Sequence, residues 1–531
     1  MKHDKGCLIA ILIFAFCLLY FIWHISTTNS PIEEEMPELV DSVSIFSHLP
    51  DTIFPSALLM DFEIKRYDTL SGGALISLDD LYLNNAGVFT FRGGISRNYP
   101  NKGRIVGSPS HVETEWVFST PFDTVKTKYG RWGGGTGWTG QPLLINWPDS
   151  LKYHFAQVND TLIFNSPNAE VIFASLCGDV FFLNPETGKP SRSSISIGNT
   201  LKGTPSVDPS LNGLLYVGHG VPRCTTAMGI SVIDLFSHEK IQFISGQDPF
   251  SWKNWGAFDS SPIAVGQFLF WPAENGLVYK FLRTNNGLVI HSVLRYRFKG
   301  NGAPGIESSI AVFKNYGYFG DNHGNIICLN LNNMKPVWHF HNVDDNDATI
   351  VVEQEGNVPY IYAGSQVDRQ GDTGVSQIVK LNGLNGKLVW KQRINCRNLK
   401  TTEKKYDGGM FSTPLLGEGN CSDFIFCVVS LPDSSLKADM IAFSKENGDI
   451  KWKLRLDAWS WSSPVPFYNE HDSLFILTGD VAGNMYIIEG SEGKVLFKEK
   501  MAQNFESSPL VMGSSVIVGS RGRNMYKFSI K

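Results

Sequence analysis

One unit recurs along this chain, and the repetition constrains the fold more than any other feature of the sequence. Within residues 441–509 the unit runs once and begins again. It opens with Ser462, Ser463 and Pro464, continues in an apolar run over 474–477, and turns at Gly479 and Gly483. A second run follows over 485–488, then a glycine turn at Gly493 and a last run over 495–498. Ser507, Ser508 and Pro509 then open the next copy. Four short strands per copy cannot bury both of their faces alone, so the copies must stack on one another.

The turn before the last strand checks the period. Gly188, Gly287, Met334, Gly386, Gly448 and Gly493 hold equivalent places, roughly 45–60 residues apart. Two units lie between Gly188 and Gly287, and the first of them, around residues 230–245, has a degenerate turn. The opening motif gives the count. It occurs at residues 140–142, 203–205, 260–262, 308–310, 348–350, 412–414, 462–464 and 507–509, eight copies in all. Four-stranded repeats of this length predict an all-β, eight-bladed β-propeller. The last copy, 508–530, supplies only three strands, and an unpaired blade edge is a liability. Residues 115–118 read like the last strand at 387–390, so this N-terminal strand is expected to close the ring against the C-terminal blade.

The segments ahead of the repeats differ in character. Lys2 and Lys5 precede an uninterrupted apolar run over residues 7–23, and Glu33, Glu34 and Glu35 follow it. At ~1.5 Å per residue such a helix approaches the ~30 Å hydrocarbon core of a bilayer. The charge asymmetry places the N-terminus in the cytoplasm and the propeller in the periplasm or outside the cell. A cleaved signal peptide is the rival reading, but no small-residue cleavage site follows the run. The expected layout is a cytoplasmic tip and single transmembrane anchor over 1–25, an acidic linker over 26–44, an extension packing on the propeller over 45–110, and the propeller over 111–531. With 46 basic and 51 acidic residues, a formal charge of −5 argues against the basic face that nucleic-acid binding usually needs. The cysteines show neither metal-ligand spacing nor a CxxC motif.

The turn segments resemble the tryptophan-docking motif of PQQ-type propellers, the quinoprotein alcohol dehydrogenase-like superfamily. Residues 382–390, with Gly386 and Trp390, fit best; 444–452 and 330–338 fit less fully. Arg192 and Phe497 stand where the motif has tryptophan. A glycine permits the positive φ of the turn, and a tryptophan between blades buries a large area. Residues 89–98 also resemble the Phe/Trp-Arg-Gly-x-x-x-Arg segment that precedes many such propellers. In character the chain is similar to the non-catalytic, BamB-like branch, which implies protein binding by an envelope-facing module. BamB-like proteins are lipid-anchored, so the transmembrane anchor expected here departs from that pattern. The dehydrogenase branch implies a vicinal Cys-Cys over the quinone, a Glu/Asn/Asp set on Ca²⁺ and a catalytic Asp. No Cys-Cys and no Cys-x-x-Cys-His occurs in the sequence, and no matching carboxylate set is evident, so PQQ with Ca²⁺ is disfavoured and no cofactor is expected.

Two features merit attention as a site. Trp132 and Trp138 flank a glycine-rich loop just ahead of the first inner strand. A phosphate cradle needs a helix after such a loop, and here a strand follows; the loop reads as a packing element or as an aromatic wall facing a ligand. The second feature is an acidic and aromatic set ahead of the inner strands: Asp259, Glu307, Asp347, Asp407, Trp459, Trp461 and Glu506. Inner strands line a propeller's axis, so these residues are expected at one mouth of the channel. There they either bind a cation or a basic partner segment, or stand as solvated charges. The sequence thus predicts a membrane-anchored scaffolding propeller with an envelope-protein partner. The alternative class is a PQQ-dependent oxidoreductase or a propeller that binds a sugar or quinone.

Overall fold

A computed structural model describes residues 47–67, 75–83, 87–98, 102–138, 140–151, 155, 169–223, 226–400 and 405–531. The expected anchor over 1–25 and linker over 26–44 lie outside the described residues. Among the described residues no helix is long and apolar enough to cross a membrane.

Eight sheets form the blades, numbered here in chain order, and all are antiparallel except where Gly103–Arg104 joins the inner strand of blade seven in parallel. Their innermost strands are Leu143–Asn146, Ser206–Val207, Ile263–Val265, Ala311–Phe313, Val351–Glu355, Leu415–Leu416, Val465–Tyr468 and Leu510–Met512. Each begins directly after one of the eight opening motifs. In blade seven the inner strand is followed in order by Leu474–Gly479, Asn484–Glu489 and Val495–Lys500. Blade eight takes its outermost strand, Val112–Ser119, from the N-terminal side of the ring. This strand pairs with Asn524–Ile530, with Trp116 opposite Lys527. The expected closure is thereby present.

The opening motif has a bonding role. The second small residue of one blade donates its amide to the hydroxyl of the equivalent residue in the next blade. Ser261 donates to Ser309 Oγ at 2.8 Å, Ser309 to Thr349 Oγ1 at 3.1 Å, Thr413 to Ser463 Oγ at 3.0 Å and Ser463 to Ser508 Oγ at 3.3 Å. A serine or threonine there satisfies buried backbone that no sheet ladder reaches. Further out, tryptophans couple the blades. The indoles of Trp116, Trp338, Trp390 and Trp452 donate to the carbonyls of Pro185, Gly383, Lys445 and Gly490 in the following blade, at 2.8–2.9 Å. Three residues on, each covers a glycine of positive φ, Gly188, Gly386, Gly448 or Gly493. A Cβ at Gly386 would lie 2.7 Å from the Trp338 ring, so that position requires glycine twice over. Where tryptophan is missing, other donors reach the same carbonyl position: Arg192 bonds Leu235 O at 2.6 Å and Lys280 bonds Leu331 O at 2.9 Å.

The N-terminal extension does more than pack on the ring. Met60–Arg66 adds a fifth strand to the rim of blade three, pairing with Gly287–Phe298. Residues 87–98 instead enter the axis. Gly87–Val88 pairs with the inner strand of blade one. Arg92 and Arg97, both fully buried, then radiate to the inner strands. Arg92 donates to Pro464 O at 2.9 Å and Pro414 O at 3.0 Å; Arg97 donates to Ile310 O at 3.0 Å and Ser261 O at 2.9 Å. Desolvation lowers the pKa of Arg92 to about 9 and of Arg97 to about 10, so both remain charged at neutral pH. Carbonyls, which are acceptors with no net charge, solvate them in place of water.

Candidate functional site

The residue directly before each opening motif sets the chemistry of one mouth of the channel. In this register stand Lys202, Asp259, Glu307, Asp347, Phe411, Trp461 and Glu506. All of these except Asp259 line a single cavity of about 180 Å³, together with Trp132, Gly137, Trp138, Leu176 and Arg521. Of the site residues expected from sequence, Trp132, Trp138, Glu307, Asp347, Trp461 and Glu506 are thus brought together. Asp259 is completely buried and pairs with the Lys202 ammonium. Asp407 is out of register: it lies five residues before Ser412, is not among the cavity's lining residues, and pairs with Lys405 at 2.7 Å. Phe411 holds the position that Asp407 was expected to hold.

Aromatic rings form the apolar wall. Trp461 packs edge-on to Trp459 with centroids 4.8 Å apart, and against Phe411 at 5.2 Å. Trp138 donates its indole N–H to Phe411 O at 3.2 Å. The loop that carries Trp132 and Trp138 is wedged between blades eight and one. Gly135 there has φ +66°, and a Cβ would fall 1.7 Å from Ser520 O. Its carbonyl accepts from Ser175 Oγ at 2.7 Å. The glycines therefore serve close packing of backbone rather than a phosphate cradle.

The polar side of the cavity is acidic. Lys202 pairs with Asp259 and lies 3.6 Å from a Glu307 oxygen. Burial disfavours its charge, yet Asp259 and Glu307 hold its pKa well above the usual lysine range. Glu274, from the turn after the second strand of blade three, converges on the same point; ligand oxygens of Asp259, Glu274 and Glu307 lie within 4.8 Å of one another. Trp255 donates to Glu274 at 2.8 Å. Burial, reinforced by Asp259 and Glu307, raises Glu274 well above the carboxylate range. Burial pushes Glu307 up to about 8 despite Lys202. Asp345 is likewise pushed by burial to about 8, and Asp347 is raised by burial and by the neighbouring Asp345. Gln366 donates to Asp347 at 2.6 Å. On the far side Arg521 pairs with Glu506 at 3.2 Å and lies over the Trp132 ring, 5.2 Å from its centroid.

The sequence placed Asp259 and Glu307 at one mouth without a set matching the family's Ca²⁺ ligands, and the fold adds Glu274 to make a cluster of three carboxylates. They do not fit a divalent metal in this arrangement, because the Lys202 ammonium already stands on Asp259 and beside Glu307. A hard cation such as Ca²⁺ also wants six to eight oxygens, and the cluster brings three carboxylates. Lys202, Phe411, Glu274 and Arg521 were missed. Lys202 and Phe411 were open to detection through their register with the opening motif. Glu274 and Arg521, which come from turns further out, carry no such signal.

Residues 436–531, the last two blades and the outer half of blade six, match the family model described as outer membrane protein assembly factor BamB. No curated protein matches the chain. Solved structures do. A quinohemoprotein alcohol dehydrogenase from Pseudomonas putida HK5 aligns with TM-score 0.56 at 9% identity, over 84% of this chain and 80% of its own. The quinohemoprotein alcohol dehydrogenase of Comamonas testosteroni aligns with TM-score 0.55 at 10% identity, over 85% and 82%. BamB from Moraxella catarrhalis aligns with TM-score 0.48 at 15% identity, over 68% and 93%. Likeness at these identities is one of fold. The chain is thus an eight-bladed β-propeller that shares its fold with these dehydrogenases, and residues 436–531 match the BamB family model.

Proposed function

We propose that this chain is a membrane-anchored, extracytoplasmic propeller that holds a partner protein of the cell envelope at the mouth cavity and so acts as a scaffolding module. The observation that carries the reading is the convergence of six opening-register side chains on one aromatic and acidic cavity, while residues 87–98 fill the axis. The apolar run over 7–23 with its flanking charges supports the anchor. Turnover of a quinone is disfavoured by the same chemistry. PQQ is a tricarboxylic acid, and the cavity's two lining cations are already engaged by Asp259, Glu307 and Glu506.

Two measurements on the full chain test this. Titration in detergent with PQQ and Ca²⁺, followed by quinone absorbance and by dye reduction with alcohols, is expected to show neither saturable binding nor turnover. A photoreactive amino acid in place of Trp461 is expected to trap an envelope protein in intact membranes. The same probe in place of Val289, exposed on the rim of blade three, is expected to trap none. Saturable quinone binding with turnover would make the protein an oxidoreductase and end the scaffold reading.

A further inference from the structure

We infer that the mouth cavity is a socket for one cationic side chain, a lysine ammonium or arginine guanidinium presented by the partner polypeptide. The inference rests on the scaffold reading and names what the scaffold grips. Three observations carry it.

The first is the wall. Trp132, Trp138, Phe411 and Trp461 line a cavity of about 180 Å³, room for a side chain and not for a folded element. Aromatic faces attract a cation most strongly when it is desolvated, as it would be here. The second is charge. Asp259, Glu274, Glu307, Asp345, Asp347 and Glu506 stand at or directly behind the cavity, and Lys202, Lys253 and Arg521 are the cations that face them. Among the described residues Lys202 pairs with Asp259 and Glu307 and Arg521 with Glu506, which leaves Glu274, Asp345 and Asp347 without an ion pair. Burial, reinforced by neighbouring carboxylates, raises Glu307 and Asp345, and an added positive charge would offset that rise. The third is precedent inside the cavity itself. Arg521 already lies over Trp132 with its guanidinium on Glu506, so ring and carboxylate here do hold a cation together.

A neutral sugar would find the rings but would leave the charge deficit standing. An anion would meet the acidic floor. Selectivity should therefore follow positive charge, with the aliphatic stem of the side chain covered by the indoles.

Calorimetric titration of the full chain in detergent tests the inference. The probes are acetyl-Gly-Lys-Gly-amide and its arginine counterpart, with the Nζ-acetylated lysine peptide, spermidine and glucose as comparisons. The lysine and arginine peptides are expected to bind saturably, and acetylation of the lysine is expected to abolish binding. Trp461→Ala should weaken the lysine peptide about five- to thirtyfold, the range of one desolvated cation–ring contact, while Trp461→Phe retains most of it. Thermal unfolding of both variants separates a lost contact from a lost fold. Equal binding of the acetylated peptide, binding of glucose in its place, or binding of none of the probes would overturn the inference. Tighter binding of spermidine than of either peptide would overturn the polypeptide source. A partner trapped from position 461 despite failure of every cation probe would leave the scaffold reading intact and remove only the socket.

Discussion

At the scale of the residue, the mouth is governed by carboxylates that fold into a place too dry for their charge. Burial pushes Glu307 and Asp345 up to about 8, against ordinary carboxylate values of 4.5 and 3.8. The folded chain therefore keeps protons that the unfolded chain has released. That contribution to stability is complete below about pH 4 and is lost as pH rises toward and through 8. The melting temperature of the full chain is expected to fall between pH 6 and pH 9. Glu307→Gln, which cannot ionise, should flatten part of that slope; an unchanged slope in circular-dichroism melts would show that Glu307 is charged throughout. Sequence showed these acids only in part. Asp259, Glu307 and Asp347 stand directly before an opening motif and were readable by register. Asp407 attracted attention because it is acidic, yet Phe411 occupies the register, four residues later. Position in the repeat, not acidity, marks a residue of the mouth. Lys202 was overlooked for the same reason, since a cation among expected acids looks out of place until its ion pairs are seen.

At the scale of the element, each blade is joined to the next by a ring of hydroxyls near the axis and by a donor further out. The outer donors differ in how deeply they are set. Trp338 is fully buried and donates to Gly383 O, whereas Trp452 is partly exposed at its equivalent place. Trp338→Ala is expected to cost about 3–5 kcal/mol in urea unfolding, and Trp452→Ala measurably less. Equal losses would mean that the shared hydrogen bond, not the buried ring, sets the energy. The blades were legible in the sequence because their signals are local: Ser-Ser-Pro where an inner strand starts, and Gly386 or Gly448 where the chain must take a positive φ. Met334 and His238 hold the same turn with φ of 64° and 62°, which shows that the stack imposes the conformation even without glycine. The occupation of the axis by residues 87–98 was not legible. Arg92 and Arg97 look like surface residues in a sequence, and their partners are carbonyls contributed by four different blades. Only closure of the ring brings those oxygens together.

At the scale of the whole molecule, the seam in blade eight decides whether there is a ring at all. Val112–Ser119 and Asn524–Ile530 pair along their lengths, and Arg523 donates to Thr120 O across 403 residues of sequence. Removing residues 524–531 would expose the edges of both Val112–Ser119 and Ser515–Gly519. Such a chain is expected to lose cooperative unfolding and to associate in sedimentation, as exposed edges do. A monomeric, cooperatively melting truncation would show that the blades stand as independent units. The seam also has a consequence in time. During synthesis, at roughly 5–20 residues per second, Val112–Ser119 emerges some 20–80 s before its mate exists. Over that interval the strand waits unpaired while the blades are made in turn, and by its end seven finished blades stand beside the ribosome with two open flanks. An arc of blades that meets another nascent arc before its own last strand is made can pair with it instead, so dilution of translation, and whatever shields a half-made ring, governs the yield of closed molecules more than the strength of any blade.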